Sequence, residues 1–273
     1  MSDNILQSPL GKKVAYVQQY APDLLFAISR KVQRQEINIT NTLPFQGVDV
    51  WNAYELSWLN EQGKPIVAMA EFTLPCESTH LIESKSLKLY LNSFSDTIFI
   101  NLAEVEETLH RDLSQAAGAA VKVKVLMLDQ YQPPAIEKFT GQCLDDLNIV
   151  CNQYQVDPEF LRVEQHEVEE VLYSHLLRSN CLVTGQPDIG SVCISYAGKK
   201  IDHEGLLKYI VSFRHHQGFH EQCVEMIFVD IMQRCQPKHL TVQACYLRRG
   251  GIDINPYRTT GHDLPGNIRL LRQ

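Results

Sequence analysis

Cys181 is the residue whose surroundings most suggest chemistry. It lies in Ser179-Asn180-Cys181-Leu182-Val183-Thr184 and runs into Gly185-Gln186-Pro187-Asp188-Ile189-Gly190. Turns and segment ends are where reactive groups reach a cleft, and a turn here can fold the Asp188 carboxylate back toward the sulfur. Such a carboxylate would take the thiol proton and later return it to a substrate. A buried cysteine beside a turn-forming aspartate is the plainer reading, and spacing alone favours it. None of the other seven thiols, Cys76, Cys143, Cys151, Cys193, Cys223, Cys235 and Cys245, has a comparable polar turn beside it. Cys193 is the near rival, but its place between Ser191 and Ser195 in an alternating run reads as structural.

A second cluster is His215-His216-x-x-x-His220-Glu221-Gln222-Cys223. On one helix, His216, His220 and Cys223 would face the same way and could bind a metal. His220-Glu221 also begins like His-Glu-x-x-His, but Val224 stands where the last ligand belongs, which removes the metalloprotease reading. A polar helix entrance, with Glu221 favoured by the helix dipole, explains the cluster as well. A third option is that His220 and Glu221 bind a polar, nitrogen-rich ligand.

Glu83-Ser84-Lys85-Ser86-Leu87-Lys88-Leu89-Tyr90 places two hydroxyls and Lys85 at a helix start, where free backbone N–H groups suit a phosphate. Glu83 just before it can accept two parallel hydrogen bonds from the amidine-like edge of a purine. An ordinary capped helix is the simpler account. Arg248-Arg249-Gly250-Gly251 sets two guanidiniums beside flexible backbone, which suits phosphate recognition or a plain strand turn. No Gly-x-Gly-x-x-Gly follows a strand, so a dinucleotide would bind without that fingerprint.

The elements that must position these residues follow from periodicity. Val48, Val50, Tyr54, Leu56 and Trp58 alternate, as do Ile66, Ala68, Ala70, Phe72 and Leu74, on either side of Asn60-Glu61-Gln62-Gly63. This predicts a hairpin. Leu87, Tyr90, Leu91 and Phe94 have helical spacing. Asn101 and Glu104 form a capping-box pattern ahead of Val105, Leu109, Leu113 and Ala116, and Val121, Val123, Val125 and Met127 return to strand period. The second half repeats this order. Val192, Ile194 and Tyr196 alternate; Leu206, Leu207, Ile210 and Val211, then Val224, Ile227, Phe228 and Ile231, are helical. Leu240, Val242, Ala244 and Tyr246 alternate again. The similar spans Glu83–Ala120 and His203–His239 suggest duplication of one strand–helix–helix–strand unit. The expected class is α+β, with antiparallel sheets and helices on one face. The expected division is a 1–45 N-terminal extension, a 46–135 first module, a 136–158 connector and a 159–273 second module.

The 273 residues are 44% hydrophobic and 21% charged, ordinary values for a globular chain. A net charge of −7, from 32 acids against 25 Lys plus Arg, argues against a broad nucleic-acid surface but leaves room for a small anion in a local cationic pocket. No apolar run approaches the roughly 20 residues that span a bilayer. Met1 to Lys12 lacks the basic start and apolar core of a signal peptide. A cytoplasmic location without membrane contact is expected, with reduced thiols and no Cys-x-x-Cys zinc or redox motif.

The run ESKSLKLY at Glu83–Tyr90, continuing into Leu91-Asn92-Ser93-Phe94, resembles the signature of the queuosine-pathway nitrile reductases, the NADPH-dependent 7-cyano-7-deazaguanine reductases. Also similar are Asn180-Cys181, Gln186-Pro187-Asp188, Ser212-Phe213-Arg214-His215-His216, Phe219 to Glu225 and Arg248 to Pro256. The resemblance spans nearly the whole chain from the first hairpin onward. It implies a tunnelling fold in its long form, with two tandem ββααββ-type modules, a site between modules or subunits, and a homodimer. It further implies Cys181 as nucleophile and Asp188 as its proton-transfer partner. Ile82, Glu83, Ser84, His220 and Glu221 would bind the substrate, and Ser84, Lys85, Arg249 and Gly250 would bind NADPH. The implied reaction is thiolate addition to the nitrile, giving a thioimide, then two hydride transfers from two NADPH to give 7-aminomethyl-7-deazaguanine. That product serves tRNA modification, with no metal and no direct nucleic-acid contact. Ile189 departs from the aromatic residue frequent in related long-form sequences. Two rivals stand beside this reading: a zinc cyclohydrolase on the same fold, drawing on His216, His220 and Cys223, and a non-catalytic purine-binding module.

Overall fold

The computed structural model describes residues 9, 12, 16–40, 42–129, 135–262 and 266–273. The chain divides into two compact units. One comprises Met1–Glu36, Asp49–Pro133 and Arg248–Ile254; the other comprises Ile37–Val48, Pro134–Leu247 and Asn255–Gln273.

In the first unit, strand β1 (Ala27–Ser29) leads into helix α1 (Arg30–Glu36), and β2 (Gln46–Leu59) turns into β3 (Pro65–Pro75). The turn forms because Asn60 Oδ1 accepts hydrogen bonds from the N–H groups of Gln62 at 3.0 Å and Lys64 at 2.9 Å, while Gly63 takes a φ of 74°. Strand β4 (His80–Ile82) pairs antiparallel with β1. Helices α2 (Ser84–Asn92) and α3 (Leu102–Ala117) follow, and β5 (Lys122–Met127) pairs antiparallel with β3, setting Ala68 opposite Met127. Tyr90 and Phe94 at the end of α2, Leu109 and Leu113 of α3, Phe72 of β3 and Val125 of β5 join one core cluster. That cluster is why the helices cover a single face.

Two local expectations are revised here. Trp51 and Ala53 enter the core from β2, and so do Leu56 and Trp58. The buried parity therefore changes between Ala53 and Leu56, as an extra residue in a strand requires. Tyr54 does not join Leu56 and Trp58 in that cluster; it is half-buried, and its hydroxyl donates to Asp253 Oδ2 at 2.7 Å. At the start of α3, Asn101 Oδ1 accepts from Glu104 N at 3.0 Å, as a capping box demands. The return bond from Glu104 goes one residue further back, with Ile100 N donating to its carboxylate at 2.8 Å.

The second unit contains the short strands β6 (Ile136–Glu137) and β7 (Gln142–Cys143), then β8 (Val163–Ser174), β9 (Arg178–Asn180) and the long β10 (Pro187–Ile201). Helices α4 (His203–Ser212) and α5 (His220–Cys235) precede β11 (His239–Tyr246), β12 (Ile252–Thr259), whose residues up to Ile254 belong to the first unit, and β13 (Arg269–Leu270). Strand β10 lies antiparallel between β8 and β11, and β9 pairs with its beginning. Val192, Ile194 and Tyr196 of β10, Val224, Ile227, Phe228 and Ile231 of α5, and Leu240, Val242, Ala244 and Tyr246 of β11 are all buried, which is the period-two and period-3.6 patterning made physical. The class is α+β with mainly antiparallel sheets, as expected, the short pairs β6–β13 and β7–β8 being parallel. Among the described residues, no helix is long and apolar enough to cross a membrane.

A buried ion pair ties β12 to α5. Arg258 donates to Glu225 Oε1 from Nε at 3.1 Å and from NH2 at 2.8 Å, and its NH1 reaches the carbonyls of Val48 at 3.2 Å and Tyr257 at 2.9 Å. Removing one member strands the other charge away from water. Arg258→Met should therefore destabilise the fold by about 3–5 kcal/mol in urea unfolding, and replacing both partners by Met should recover much of that loss.

Candidate active site

Cys181 and Asp188 come from one hairpin. Asn180 of β9 pairs with Pro187, Ser179 with Asp188 and Arg178 with Ile189. One step further, Cys181 N donates to Gln186 O at 2.8 Å and Gly185 N donates to Cys181 O at 3.0 Å. Gly185, with a φ of 65°, allows the chain to reverse. Strand alternation puts Ser179, Cys181 and Asp188 on one face, with Cys181 and Asp188 as diagonal neighbours, and turns Ile189 to the other. Cys181 is 8% exposed and Asp188 4%.

The opposite edge of β9 is held by the segment before α5. Asn180 N donates to His216 O at 2.8 Å, and Gly218 N donates to Asn180 O at 3.2 Å. The Asn180 side chain donates to Arg214 O at 3.2 Å. This pairing brings the start of α5 against the hairpin, so that His220 Nε2 lies 3.4 Å from Asp188 Oδ1. Glu221, also buried, occupies the first turn of α5, where the helix dipole favours a carboxylate. His220 Nδ1 is buried and has no hydrogen-bond partner among the described residues. The idea of one helix presenting His216, His220 and Cys223 fails for a simple reason. Helix α5 begins at His220, and His216 stands before it in extended conformation with a ψ of 139°. Among the described residues, no group of three or more His, Cys, Asp or Glu is arranged to hold a metal ion.

Sequence reasoning missed the layer beneath these residues. The Cys223 thiol is pushed up to about 12 by burial, with the nearby hydroxyls of Ser179 and Tyr246 opposing that rise and the charges of Asp188 and Glu221 adding to it. Burial likewise lifts the thiols of Cys193 and Cys235 to about 11. All three are held as neutral thiols near pH 7 and are poor nucleophiles. The ring of Tyr246 stacks on His220 with centroids 3.9 Å apart and planes at 13°. In the sequence Tyr246 is only the last apolar position of an alternating strand, and no local signal marks it.

In the first unit, Glu83 is the N-cap of α2 and is 1% exposed. Its Oε1 accepts from Lys85 N and its Oε2 from Ser86 N, both at 2.8 Å. The Ser86 hydroxyl donates to Glu83 O at 2.7 Å and accepts from Phe26 N at 3.0 Å. Burial raises the Glu83 pKa, against the pull of these N–H bonds and of Lys85. The helix start is therefore not an open phosphate seat, because its own carboxylate takes two of the N–H groups. Each carboxylate oxygen still has a lone pair to offer. Ile82 is buried in β4, and Ser84 is the first residue of α2. Lys85 Nζ donates to Lys12 O at 2.6 Å.

Arg249 leads into a two-residue turn formed by Gly250 and Gly251. Arg249 N donates to Ile252 O at 2.9 Å, and Gly250 and Gly251 have φ values of 59° and 77°, as a type I′ turn requires. A Cβ on Gly250 would stand 3.0 Å from Lys88 Nζ, and one on Gly251 would stand 2.5 Å from Glu55 Cδ. The Arg248 guanidinium lies 3.8 Å from the centre of the Tyr54 ring. A shallow cavity of about 40 Å³ here is lined by Glu55, Lys88, Asn92, Gly250 and Gly251, among others.

Comparison with known proteins bears on what this arrangement is for. Residues 16–125 match the family described as nitrile reductase, 7-cyano-7-deazaguanine-reductase N-term, and residues 187–264 match that described as QueF-like protein. A Desulfotalea psychrophila protein is 51% identical across 100% of both chains. Dechloromonas aromatica has one 56% identical, covering 97% of this chain and 95% of its own, and Delftia acidovorans one 53% identical, covering 98% of each. All three are named NADPH-dependent 7-cyano-7-deazaguanine reductase. The chain belongs to this reductase family. Glu83, Ser84 and Lys85 fall within the first family match, and Asp188, His220, Glu221, Arg249 and Gly250 within the second; Cys181 lies just outside it. A solved archaeosine synthase, QueF-Like in the apo form, is similar over 37% of this reductase-family chain and 99% of its own, at 16% identity and a TM-score of 0.31.

Proposed function

We propose that the chain reduces the nitrile of 7-cyano-7-deazaguanine to the aminomethyl group of 7-aminomethyl-7-deazaguanine, with Cys181 as covalent nucleophile and NADPH as reductant. The observation that carries this reading is the shared hairpin face of Cys181 and Asp188, with His220 Nε2 3.4 Å from that carboxylate. A thiol beside a proton carrier suits attack on an electrophilic carbon. The full-length likeness to proteins bearing this activity in their names supports the choice of substrate.

The residues present fit NADPH. Lys85, Lys88, Arg248 and Arg249 supply cationic side chains, and the glycine turn next to Lys88 gives backbone a close approach to a phosphorylated ligand. Ser84, Lys85, Arg249 and Gly250 are assigned to hold it. When bound, NADPH supplies hydride, two equivalents for each nitrile.

The chain's own residues manage bonds and protons. Cys181 Sγ bonds to the nitrile carbon as one carbon–nitrogen π pair moves onto nitrogen, giving a thioimide. Asp188 takes the thiol proton and delivers one to that nitrogen. After the first reduction the carbon–sulfur bond breaks to leave the imine, Sγ leaves with the bonding pair, and Asp188, reprotonated from solvent, returns a proton to it; a further solvent proton completes the amine. Two hydrides and two protons in all turn –C≡N into –CH2–NH2. Glu83, with Ile82 and Ser84 beside it, accepts N–H bonds from the guanine-like edge of the base, and His220 and Glu221 bind and orient it. A soft covalent nucleophile activates the nitrile, so the scheme calls on no Lewis acid. A homodimer belongs to the same reading.

Mixing the protein with NADPH and the cyano base should consume two NADPH per base, read as loss of NADPH absorbance. Without NADPH, the wild type should gain the mass of the base on the Cys181 peptide and Cys181→Ala should not. Because burial holds Cys193 and Cys223 near 11 and 12, neither should carry the adduct; mass found on Cys193 instead would reassign the nucleophile. Base binding should also depend on Glu83. Only the ionised carboxylate accepts both N–H bonds, and its pKa is raised above 4.5. Affinity measured by calorimetry should fall as pH drops through a value above that of an ordinary glutamate. Glu83→Gln should bind roughly 10- to 100-fold more weakly and lose that dependence.

A further inference from the structure

Tyr246 ends β11 directly opposite Gly190 of β10. Its ring lies nearly parallel to the His220 imidazole, with centroids 3.9 Å apart. Elsewhere in this unit the aromatic contacts are tilted or edge-on, as for Tyr209 and Phe213 at 87° and for Phe213 and His216 at 70°, the geometry such rings prefer. Parallel stacking is also an arrangement that rings adopt, and the surroundings of Tyr246 select it here. A Cβ on Gly190 would stand 3.1 and 3.3 Å from two atoms of its ring, and 3.2 Å from Cys245 O. Its hydroxyl end is buried beside Ser179 and Cys223. Its carbonyl accepts from Gln273 Nε2 at 3.1 Å, and the same nitrogen donates to Asn255 Oδ1 at 2.8 Å. Gly190 bounds the ring at its edge and Gln273 holds its backbone carbonyl, while the buried hydroxyl has no hydrogen-bond partner among the described residues.

His220 is less constrained. It is the first residue of α5, its Nε2 faces Asp188 at 3.4 Å, and its buried Nδ1 has no hydrogen-bond partner among the described residues. Little besides the stack fixes the plane of the imidazole. We propose that Tyr246 is a positioning residue: its face, oriented by the room Gly190 leaves beside the ring, sets the plane of His220 so that Nε2 stays on Asp188 and Nδ1 stays available to the bound base. Tyr246 acts through His220 and does not touch substrate. This proposal rests on the reductase reading, in which His220 orients the base and Asp188 moves the proton.

The test is a double-mutant cycle between Tyr246→Leu and His220→Ala, read as kcat and KM for the cyano base under saturating NADPH. Adduct formation in a single turnover serves the cycle where steady-state rates become too slow. Tyr246→Leu should lower the rate by roughly 10- to 100-fold, the cost of misplacing a reacting group by a fraction of an ångström to an ångström. In the His220→Ala background the same change should alter the rate by no more than about twofold. Tyr246→Phe, which keeps the flat face, should recover most of the loss. Where Tyr246→Leu melts too early to assay, Gly190→Ala replaces it, since its methyl tilts the ring; its slowing should likewise vanish without the His220 imidazole. Rate losses that multiply across the cycle, a folded Tyr246→Leu with wild-type kcat, or a Tyr246→Phe as slow as the leucine variant would each overturn the proposal. A wild type inert toward the cyano base and NADPH overturns the reductase reading and this proposal with it, whereas an active wild type with an additive cycle overturns this proposal alone.

Discussion

The candidate site of the second unit depends on one short strand being hydrogen-bonded along both edges. Strand β9 pairs with β10 on one side, while Asn180 exchanges backbone bonds with His216 and Gly218 on the other. Those few bonds link two elements that the chain places far apart. On one side they present Cys181 and Asp188 from a single hairpin face; on the other they deliver the start of α5, with His220 and Glu221. A strand pinned on both edges loses little further entropy when a ligand arrives, which is what a preorganised site requires.

The carboxylates in question are all buried, and each is made tolerable in a different way. Glu83 accepts two backbone N–H bonds from α2, so the helix start offsets its desolvation. Glu221 sits in the first turn of α5, where the helix dipole supplies positive potential. Asp188 has no helix start of its own and lies against an imidazole that can carry charge. The thiols beside them follow the opposite logic: burial keeps Cys193 and Cys223 protonated. Among the cysteines near the hairpin, what distinguishes Cys181 is its position at the mouth of the β9–β10 turn and on the Asp188 face.

Much of this was legible in the sequence because periodicity reports burial directly. Val192, Ile194 and Tyr196, or Val224, Ile227, Phe228 and Ile231, could be placed on strand and helix from spacing alone, and the structure buries every one of them. Three features resisted for physical reasons. In β2 the core takes Trp51 and Ala53 as well as Leu56 and Trp58, and a single period-two template cannot accommodate both pairs. The helical grouping of His216 with His220 ignored Gly218, whose backbone pairs with β9 and keeps the helix from starting earlier. The start of α2 is the ordinary capped helix of the simpler reading, but residue types did not reveal that Glu83 would be the cap that claims its N–H groups. Tyr246 was invisible for a deeper reason. Its contact with His220 joins a strand end to a helix start, and nothing local in either segment encodes the meeting.

The two units run through strands, two helices and a returning strand in the same order, yet they spend their polar residues in opposite places. In the first, the buried carboxylate caps the first helix, α2, while the second helix, α3, opens on an exposed Asn101–Glu104 cap. In the second, the first helix, α4, begins at Asp202 with no side-chain capping bond, and the buried acid opens the second helix, α5. A repeated scaffold therefore does not imply repeated chemistry. A helix start can be closed by its own side chains or left facing a strand edge, and only the latter brings new partners to it. In α5 that partner is the β9–β10 hairpin, which is why the imidazole there meets Asp188 instead of merely ending a helix.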